Sequence, residues 1–334
     1  MEYREFGRTG FKVSRIGMGT YYDPSYVSVS SLPNNQKRAS QGIPVLRIGL
    51  SLFRRHGVRF EKNPVLRKGL SLLRPQEGRG EKIAALRKGL ALGINLIDTA
   101  EVYQTEDIVA EAIVGQRRDT LFISTKVSWD HLRYNDVLKA ADNSLKRLKC
   151  SYIDLYQVHW PNPRVPIKET MKAMEKLVEN GKVRFIGVSN FSIEQMRRAE
   201  EALSKNKLAS NEVEYSLMTR RVEKNLLPYC EQKGIAILSA RPIAAGALAK
   251  PNKKLKTIMD EISQKHGGKT PVQIALNWLI TKSKVTFPIP RASRLERINE
   301  NVGSVGWRLD VEDMGRLEEA APRFEPSHSA YVCS

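Results

Sequence analysis

The sequence predicts an α/β fold of the (β/α)8 TIM-barrel class, with an N-terminal β-hairpin and a helical insertion between the first barrel strand and the first barrel helix. Three observations lead to this prediction: eight short β-rich runs occur along the 334 residues, amphipathic stretches separate them, and their connections are short. Several runs are almost continuously apolar, which is typical of parallel strands covered by helices. Eight such alternations favour a closed barrel over an open doubly wound sheet.

The individual elements follow from local patterns. A hairpin is predicted over Tyr3–Val13, with Arg8-Thr9-Gly10 as its turn. Amphipathic periodicity predicts helices over Tyr134–Leu148, Ile167–Asn180 and Pro271–Thr281. The predicted barrel strands are Arg15–Gly19, Asn95–Thr99, Thr120–Val127, Tyr152–His159, Val183–Asn190, Glu212–Tyr215, Ile235–Ala240 and Val285–Ile289. We therefore interpret residues 1–334 as a single barrel domain.

Residues 24–80 form the predicted insertion, which is basic and contains a repeat. It holds eleven Lys or Arg residues against two Glu, and so carries +9 of the net charge of +19. Val45–Leu52 recurs as Val65–Leu72 and again as Ala85–Leu92, so the third copy belongs to the first barrel helix. Duplication of that helix explains the insertion as two extra helices. A basic surface can attract nucleic acid or anionic membrane, but duplication requires no ligand, so we do not expect nucleic acid as a partner.

Other sequence features exclude several classes of protein. No apolar run approaches the roughly 20 residues that span a bilayer. Residues 1–4 also lack the apolar core of a secretory signal. Cys150, Cys230 and Cys333 are too few and too scattered for a disulfide framework or a metal site. We therefore expect a cytoplasmic protein without a metal, and we treat it as a monomer.

Potentially reactive side chains lie at the ends of successive predicted strands. Asp98 ends the second strand, Tyr103 follows it, Lys126 lies in the third strand and His159 ends the fourth. The carboxyl ends of the strands converge in a barrel. There the Lys126 ammonium would lower the pKa of Tyr103, and a neutral His159 would donate a hydrogen bond to a carbonyl oxygen. This constellation suits carbonyl reduction, in which a cofactor supplies hydride and Tyr103 supplies the proton.

Each of these four residues also has a structural explanation. Asp98 alone is compatible with a helix cap, Tyr103 with packing, and Lys126 with a surface charge. His159 alone is compatible with a hydrogen-bonded core histidine. Isolated motif matches are often false, but the joint placement of all four at strand ends favours the catalytic interpretation.

The chain resembles the aldo-keto reductase family over roughly residues 1–23 and 81–322. The motifs that carry the resemblance are Asp98–Tyr103 (DTAEVY), Ser124–Val127 (STKV) and Asp154–Pro161 (DLYQVHWP). The resemblance implies that the four residues above form the family's catalytic tetrad, with Tyr103 as general acid.

The resemblance also implies a dinucleotide cofactor, NADPH, with NADH as the alternative. Multiple charge-assisted bonds to a 2′-phosphate would favour NADPH. The residues implied are Ser189 and Asn190 for the nicotinamide carboxamide with Glu212 beside them, Arg291, Ser293 and Arg297 for the 2′-phosphate, and Glu300 and Asn301 for the adenine.

This sequence departs from the family pattern in a few places. Glu212 stands where many members have a glutamine, although a carboxylate still accepts hydrogen bonds. Ala240 stands where members usually present an aromatic ring to the nicotinamide, which should weaken cofactor binding. Arg291 replaces the usual lysine. The insertion follows the first strand, which would place it on the catalytic face as a lid, a dimer surface or a surface appendage.

Two function hypotheses follow. The first is NADPH-dependent reduction of aldehydes or ketones, with Tyr22, Trp129 and Trp160 as candidates for an apolar wall around a small carbonyl substrate. The alternative is a cofactor-binding regulatory or scaffold protein with little turnover, which Ala240 and the insertion favour. The intact tetrad argues against that alternative, because a scaffold has no chemical need for four reactive groups.

Overall fold

The computed structural model describes residues 1–21 and 78–323. Tyr22 and residues 24–77 of the predicted insertion lie outside the described residues. The described part contains an eight-stranded sheet in which each strand pairs in parallel with the next along the chain. The predicted (β/α)8 barrel is confirmed, as is the hairpin that precedes it.

The elements have the following bounds. The hairpin consists of β1 (Tyr3–Glu5) and β2 (Lys12–Ser14). The barrel strands are β3 (Met18–Gly19), β4 (Leu96–Asp98), β5 (Phe122–Val127), β6 (Ile153–Val158), β7 (Val183–Ser189), β8 (Leu208–Glu214), β9 (Ala236–Ala240) and β10 (Thr286–Pro288). The helices are α1 (Arg79–Ala91), α2 (Glu106–Ala112), α3 (Tyr134–Leu148), α4 (Ile167–Glu179), α5 (Ile193–Ala202), α6 (Leu226–Lys233), α7 (Lys253–Lys265), α8 (Pro271–Lys282), α9 (Leu295–Val302) and α10 (Val311–Ala320).

The barrel closes where its first strand meets its last. The Gly17 N–H donates to the Pro288 carbonyl and the Gly19 N–H to the Pro290 carbonyl, each at 2.9 Å. A Cβ atom at Gly19 would lie 2.7 Å from the carbonyl oxygen of Ile289. Only glycine permits this close backbone approach, so Gly19 makes closure of the barrel sterically feasible.

An apolar plug fills the amino-terminal end of the barrel. It consists of Phe6, Val13, Leu96, Phe122, Leu155, Ala209, Ala236, Leu238, Phe287 and Ile289. The hairpin contributes Phe6, whose ring centroid lies 4.7 Å from that of Phe122 and 5.1 Å from that of Phe287. These rings are completely buried, so the hairpin covers this end and contributes to the core.

The predicted helices are close to the observed ones, whereas two strands start elsewhere: β3 begins at Met18 instead of Arg15, and β8 begins before Glu212. Helix α3 has the predicted bounds, and α4 ends just before Asn180, with Gly181 in the left-handed region at φ 69°. The predicted strand Glu212–Tyr215 overlaps β8 but starts four residues too late, because β8 already begins at Leu208. The start of β8 was missed because polar residues interrupt the apolar pattern that predicts a buried strand. Ser210 donates to Gln157 Oε1 at 2.8 Å and Asn211 donates to the Phe191 carbonyl at 2.9 Å, so both are buried without loss of hydrogen bonds.

Candidate active site

The barrel brings the four predicted reactive residues together at its carboxyl end. Asp98 is the last residue of β4, and Tyr103 ends a short 3-10 helix (Glu101–Tyr103) that follows it. Lys126 lies near the end of β5, and His159 follows β6. Separate strands therefore supply the groups, and pairing of β4 with β5 and of β5 with β6 sets their spacing.

The contacts among these residues fit the predicted constellation. Lys126 Nζ donates to Asp98 Oδ2 at 2.6 Å and to the Thr99 carbonyl at 3.0 Å. The same nitrogen lies 5.1 Å from the centroid of the Tyr103 ring. Tyr103 Oη lies 3.4 Å from His159 Nε2. A phenol and an imidazole thus face one another beside a fixed ammonium group.

Five residues form a closed set of hydrogen bonds around that ammonium, which we call the buried polar ring. Ser124 Oγ donates to Asp98 Oδ1 at 2.9 Å, and Gln157 Nε2 donates to Ser124 Oγ at 3.1 Å. Gln157 Nε2 also donates to Glu212 Oε2 at 3.0 Å, and Lys126 Nζ contacts that same oxygen at 3.1 Å. All five side chains are buried, so Glu212 is a second carboxylate partner of Lys126.

The charges of the ring follow from burial and from the short contacts. Burial alone would lower the pKa of Lys126, but the Asp98 and Glu212 carboxylates outweigh it and raise this pKa above its ordinary value. Burial and the neighbouring Asp98 charge raise the pKa of Glu212 to about 8, although Lys126 opposes the shift. The ring therefore holds an ammonium group beside a carboxyl group whose pKa is raised well above its ordinary value.

The phenol and the imidazole both stay neutral. Burial lowers the pKa of His159 to about 3, and the positive charge of Lys126 acts in the same direction. Burial raises the pKa of Tyr103 above its ordinary value, and the attraction of Lys126 only partly offsets this. The predicted lowering of the Tyr103 pKa was wrong, because loss of water around the phenolate outweighs one nearby cation. Tyr103 keeps its proton, as a general acid must.

Ser189 and Asn190 lie beside the tetrad. Ser189 ends β7, is buried, and donates from Oγ to the Glu212 carbonyl at 3.1 Å. Asn190 Nδ2 donates to the His159 carbonyl at 3.1 Å and to Ser189 Oγ at 2.9 Å. Asn190 has a left-handed backbone with φ 62°. Asparagine adopts this conformation more readily than other non-glycine residues, and the two side-chain hydrogen bonds hold it in place.

The predicted adenosine residues lie around α9. Arg297 Nη1 donates to Ser293 Oγ at 3.2 Å, and the Arg297 side chain is exposed. Arg291 pairs with Gly19 at the closure of the barrel. Glu300 Oε1 accepts a hydrogen bond from Thr270 Oγ1 at 2.7 Å, while Asn301 is buried. The structure thus brings Ser293 and Arg297 into contact and engages Glu300 with the start of α8.

The predicted substrate aromatics have different surroundings. Trp129 is 53% exposed, and its carbonyl accepts a hydrogen bond from Asn162 Nδ2 at 2.9 Å. Trp160 is half-buried directly after His159. Tyr22 lies outside the described residues, but the preceding residue, Tyr21, packs against Tyr103 with ring centroids 5.0 Å apart. Tyr21 is therefore an aromatic neighbour of Tyr103 that the sequence did not single out.

Comparisons with known proteins bear on this site. The sequence model described as "Aldo/keto reductase family" matches residues 76–322. Methylglyoxal reductase YeaE of Escherichia coli is 32% identical over 234 residues, which cover 69% of this chain and 81% of that protein. Glyoxal reductase of Bacillus subtilis is 35% identical over 230 residues, covering 68% and 78%. The chain belongs to the aldo-keto reductase family.

A solved structure extends this comparison to the fold. The crystal structure of an aldo-keto reductase from Klebsiella pneumoniae in complex with NADPH is similar to this chain, with a TM-score of 0.73. The two chains are 28% identical, and the match covers 100% of each. The predicted family resemblance is confirmed, and the chain is an oxidoreductase of the NAD(P)H-dependent class.

Ser124 and Gln157 are functional candidates of this aldo-keto reductase that were not predicted. A signal for them exists, because Ser124 precedes Lys126 by two positions and Gln157 precedes His159 by two. Residues two apart in a strand share one face. Gly187 also contributes, since a Cβ atom there would lie 2.3 Å from Ser210 Oγ, which hydrogen-bonds Gln157.

In the part of this aldo-keto reductase that the structure describes, no helix is long and apolar enough to cross a membrane. Within the same residues, no cluster of three or more His, Cys, Asp or Glu side chains is arranged to hold a metal ion.

Proposed function

We propose that this aldo-keto reductase reduces aldehydes or ketones to alcohols with NADPH, and that Tyr103 is the general acid. The observation that carries the proposal is the 3.4 Å contact between Tyr103 Oη and His159 Nε2. A substrate carbonyl oxygen that lies within hydrogen-bonding distance of both atoms meets two neutral hydrogen-bonding groups. Positive charge lies close by on Lys126, whose Nζ is 5.1 Å from the Tyr103 ring.

Each residue of the site has a separate role in the proposed reaction. When bound, NADPH supplies the hydride. His159 in its Nε2–H form donates a hydrogen bond to the carbonyl oxygen and orients it. Tyr103 transfers its proton to that oxygen as negative charge develops there. Lys126 stabilises the resulting phenolate, and Asp98 holds Lys126 in position through the 2.6 Å contact.

The proposed cofactor residues suit the groups assigned to them. Ser189 and Asn190 place hydroxyl and amide groups beside His159, and these suit a nicotinamide carboxamide. Exposed Arg297 and adjacent Ser293 are hydrogen-bond donors that suit a phosphate. We include Arg291 in the same phosphate site and Glu300 and Asn301 in the adenine site. The NADPH in the related Klebsiella pneumoniae structure supports the choice of NADPH over NADH.

The proposed substrate is a small carbonyl compound. The named activities of the Escherichia coli and Bacillus subtilis relatives are methylglyoxal and glyoxal reduction, so these dicarbonyls are the first to test. We propose Trp129 and Trp160, together with Tyr22, as the apolar wall of the substrate site.

The direct test measures NADPH consumption by the full-length protein with methylglyoxal, glyoxal and a panel of simple aldehydes and ketones. We expect turnover with NADPH and slower turnover with NADH. NADPH binding without consumption of any of these carbonyls would instead favour the regulatory or scaffold alternative. Failure to bind either dinucleotide would contradict both functions.

Arg297→Ala tests the phosphate site. Loss of a charge-assisted bond to the 2′-phosphate is expected to weaken NADPH binding at least about tenfold, while NADH binding stays unchanged. Fluorescence titration of each dinucleotide gives the dissociation constants. Arg198→Ala removes an exposed arginine from α5, where it pairs with Glu194, and serves as the matched control. An equal loss of affinity for NADPH and NADH in Arg297→Ala would refute the assignment.

A further inference from the structure

The buried polar ring contains two carboxyl groups but only one ammonium group. Lys126 Nζ contacts both Asp98 at 2.6 Å and Glu212 at 3.1 Å. The three side chains are 0%, 3% and 5% exposed, respectively, so water screens their charges little. A glutamine in place of Glu212 would leave this group of charges balanced at every pH where Lys126 and Asp98 are ionised. Glu212 adds one proton that the ring can hold or release.

The neighbours of Glu212 show which titratable groups could gain or lose the additional proton of the ring. In the sheet, Ser189 of β7 and Leu238 of β9 lie in register with Glu212, and neither side chain titrates. The charged neighbours are Asp98 of β4 and Lys126 of β5. The remaining titratable groups of the site are Tyr103 and His159. Both of these stay neutral around pH 7, because burial raises the pKa of Tyr103 and lowers that of His159. This leaves the two carboxyl groups of the ring, and Glu212 is the one whose pKa is raised by burial and by the Asp98 charge.

We propose that Glu212 releases a proton when NADP⁺ binds and keeps that proton when NADPH binds. It thereby determines the preference of this site between the oxidised and reduced cofactor. The inference rests on the proposed function, because a nicotinamide that reduces a carbonyl held by Tyr103 and His159 would have to lie beside these residues. That nicotinamide is positively charged in NADP⁺ and neutral in NADPH. An ionised Glu212 attracts the first form and gains nothing comparable from the second.

The size of the expected change in relative cofactor affinity follows from the thermodynamic linkage between proton binding and cofactor binding. The pKa of Glu212 is raised to about 8 by burial and by Asp98, so the carboxyl group is largely protonated at neutral pH. A nearby positive ring lowers this pKa. A difference of about one pKa unit between the two complexes corresponds to about a tenfold change in relative affinity. Hence the ratio of Kd for NADP⁺ to Kd for NADPH should fall about tenfold from pH 6 to pH 9.

The experiment is calorimetric titration of the full-length protein with NADP⁺ and with NADPH at about pH 7.5, in phosphate and in Tris buffer. The dependence of the heat on buffer ionisation gives the number of protons released. We expect wild-type protein to release about half a proton more with NADP⁺ than with NADPH. The two cofactors carry the same phosphate groups, so the difference between them excludes phosphate titration.

Two variants locate the proton. Glu212→Gln is expected to abolish the difference in proton release and to make the affinity ratio independent of pH. Glu214→Gln removes a half-exposed carboxylate from the same strand, where it lies 3.5 Å from Arg241, and should behave like wild type. Difference infrared spectra of the wild-type protein give a readout that needs no variant. Addition of NADP⁺, but not of NADPH, should remove a band of a buried protonated carboxyl group.

The outcomes separate this inference from the proposed function. Equal proton release with both cofactors, an unchanged carboxyl band, or undiminished release in Glu212→Gln would overturn the role of Glu212 while leaving the reductase proposal intact. Absence of binding by either cofactor would overturn the proposed function itself.

Discussion

The two ends of the barrel use the same strands but present opposite kinds of side chain to the interior. Strand β5 shows the change within one face: Phe122 belongs to the apolar plug, whereas Ser124 and Lys126 belong to the buried polar ring. Likewise Leu155 in β6 is followed two positions later by Gln157. The period of two along a strand keeps these residues facing inward, so position along the strand decides whether a residue is apolar or polar.

The energetic consequences of the two ends also differ. The plug removes aromatic surface from water and stabilises the fold. The ring removes charged groups from water, and the cost of that removal offsets much of the attraction between them. A buried ion pair is therefore weak evidence for a stabilising role. The comparison indicates that the amino end stabilises the barrel, whereas the carboxyl end holds the groups of the proposed reaction.

Phe6→Ala is the strongest test of the amino end. Removal of this ring from between Phe122 and Phe287 should lower the free energy of unfolding by about 3–5 kcal/mol, as measured by urea denaturation. The turnover rate per folded molecule should stay at the wild-type value. Phe11→Ala, at a partly buried position 5.3 Å from the Phe122 ring, should destabilise less. A loss of turnover in folded Phe6→Ala protein would show that the two ends are not separate in function.

The dependence of stability on the protonation of His159 tests the carboxyl end. The expected change in the free energy of unfolding is smaller than that in Phe6→Ala. Its folded-state pKa of about 3 lies below the value of about 6.5 for an unfolded histidine. The unfolded state therefore binds more protons between these values. The contribution of neutral His159 to the free energy of unfolding is fully present above about pH 6.5 and declines as the pH falls. From pH 7 to pH 5 the wild type should lose about 2 kcal/mol more than His159→Gln.

Denaturant unfolding at both pH values measures this difference. His131→Gln, at an exposed histidine 2.8 Å from Glu101, is the control for removal of a histidine outside the site. If wild type and His159→Gln lost equal stability, the imidazole would not be held neutral by its surroundings.

The sequence was informative where a feature depends on residues close together in the chain. Asp98 and Tyr103 share one motif, and the periodicity of Tyr134–Leu148 predicts α3 with its observed bounds. The buried polar ring was not predicted as a unit, because its hydrogen bonds join β4, β5, β6 and β8. The early start of β8 was missed for the same reason, since the partner of Ser210 is Gln157 in β6.

The direction of the Tyr103 pKa shift could not be read from the sequence either. The residue types alone predict a lowered pKa, because they show a lysine near the tyrosine but not how much water surrounds the phenol. In the folded protein, the loss of that water dominates. The lid, dimer-surface and appendage interpretations of residues 24–80 stay predictions.

Single-turnover kinetics of Tyr103→Phe test whether Tyr103 donates the proton at the carboxyl end of the barrel. Wild-type and variant protein are saturated with NADPH and mixed rapidly with methylglyoxal, and the absorbance of the reduced nicotinamide reports hydride transfer. We expect the rate to fall about 10²–10⁴-fold, with NADPH affinity and thermal stability close to those of the wild type. Hydride transfer at the wild-type rate in Tyr103→Phe would contradict the assignment.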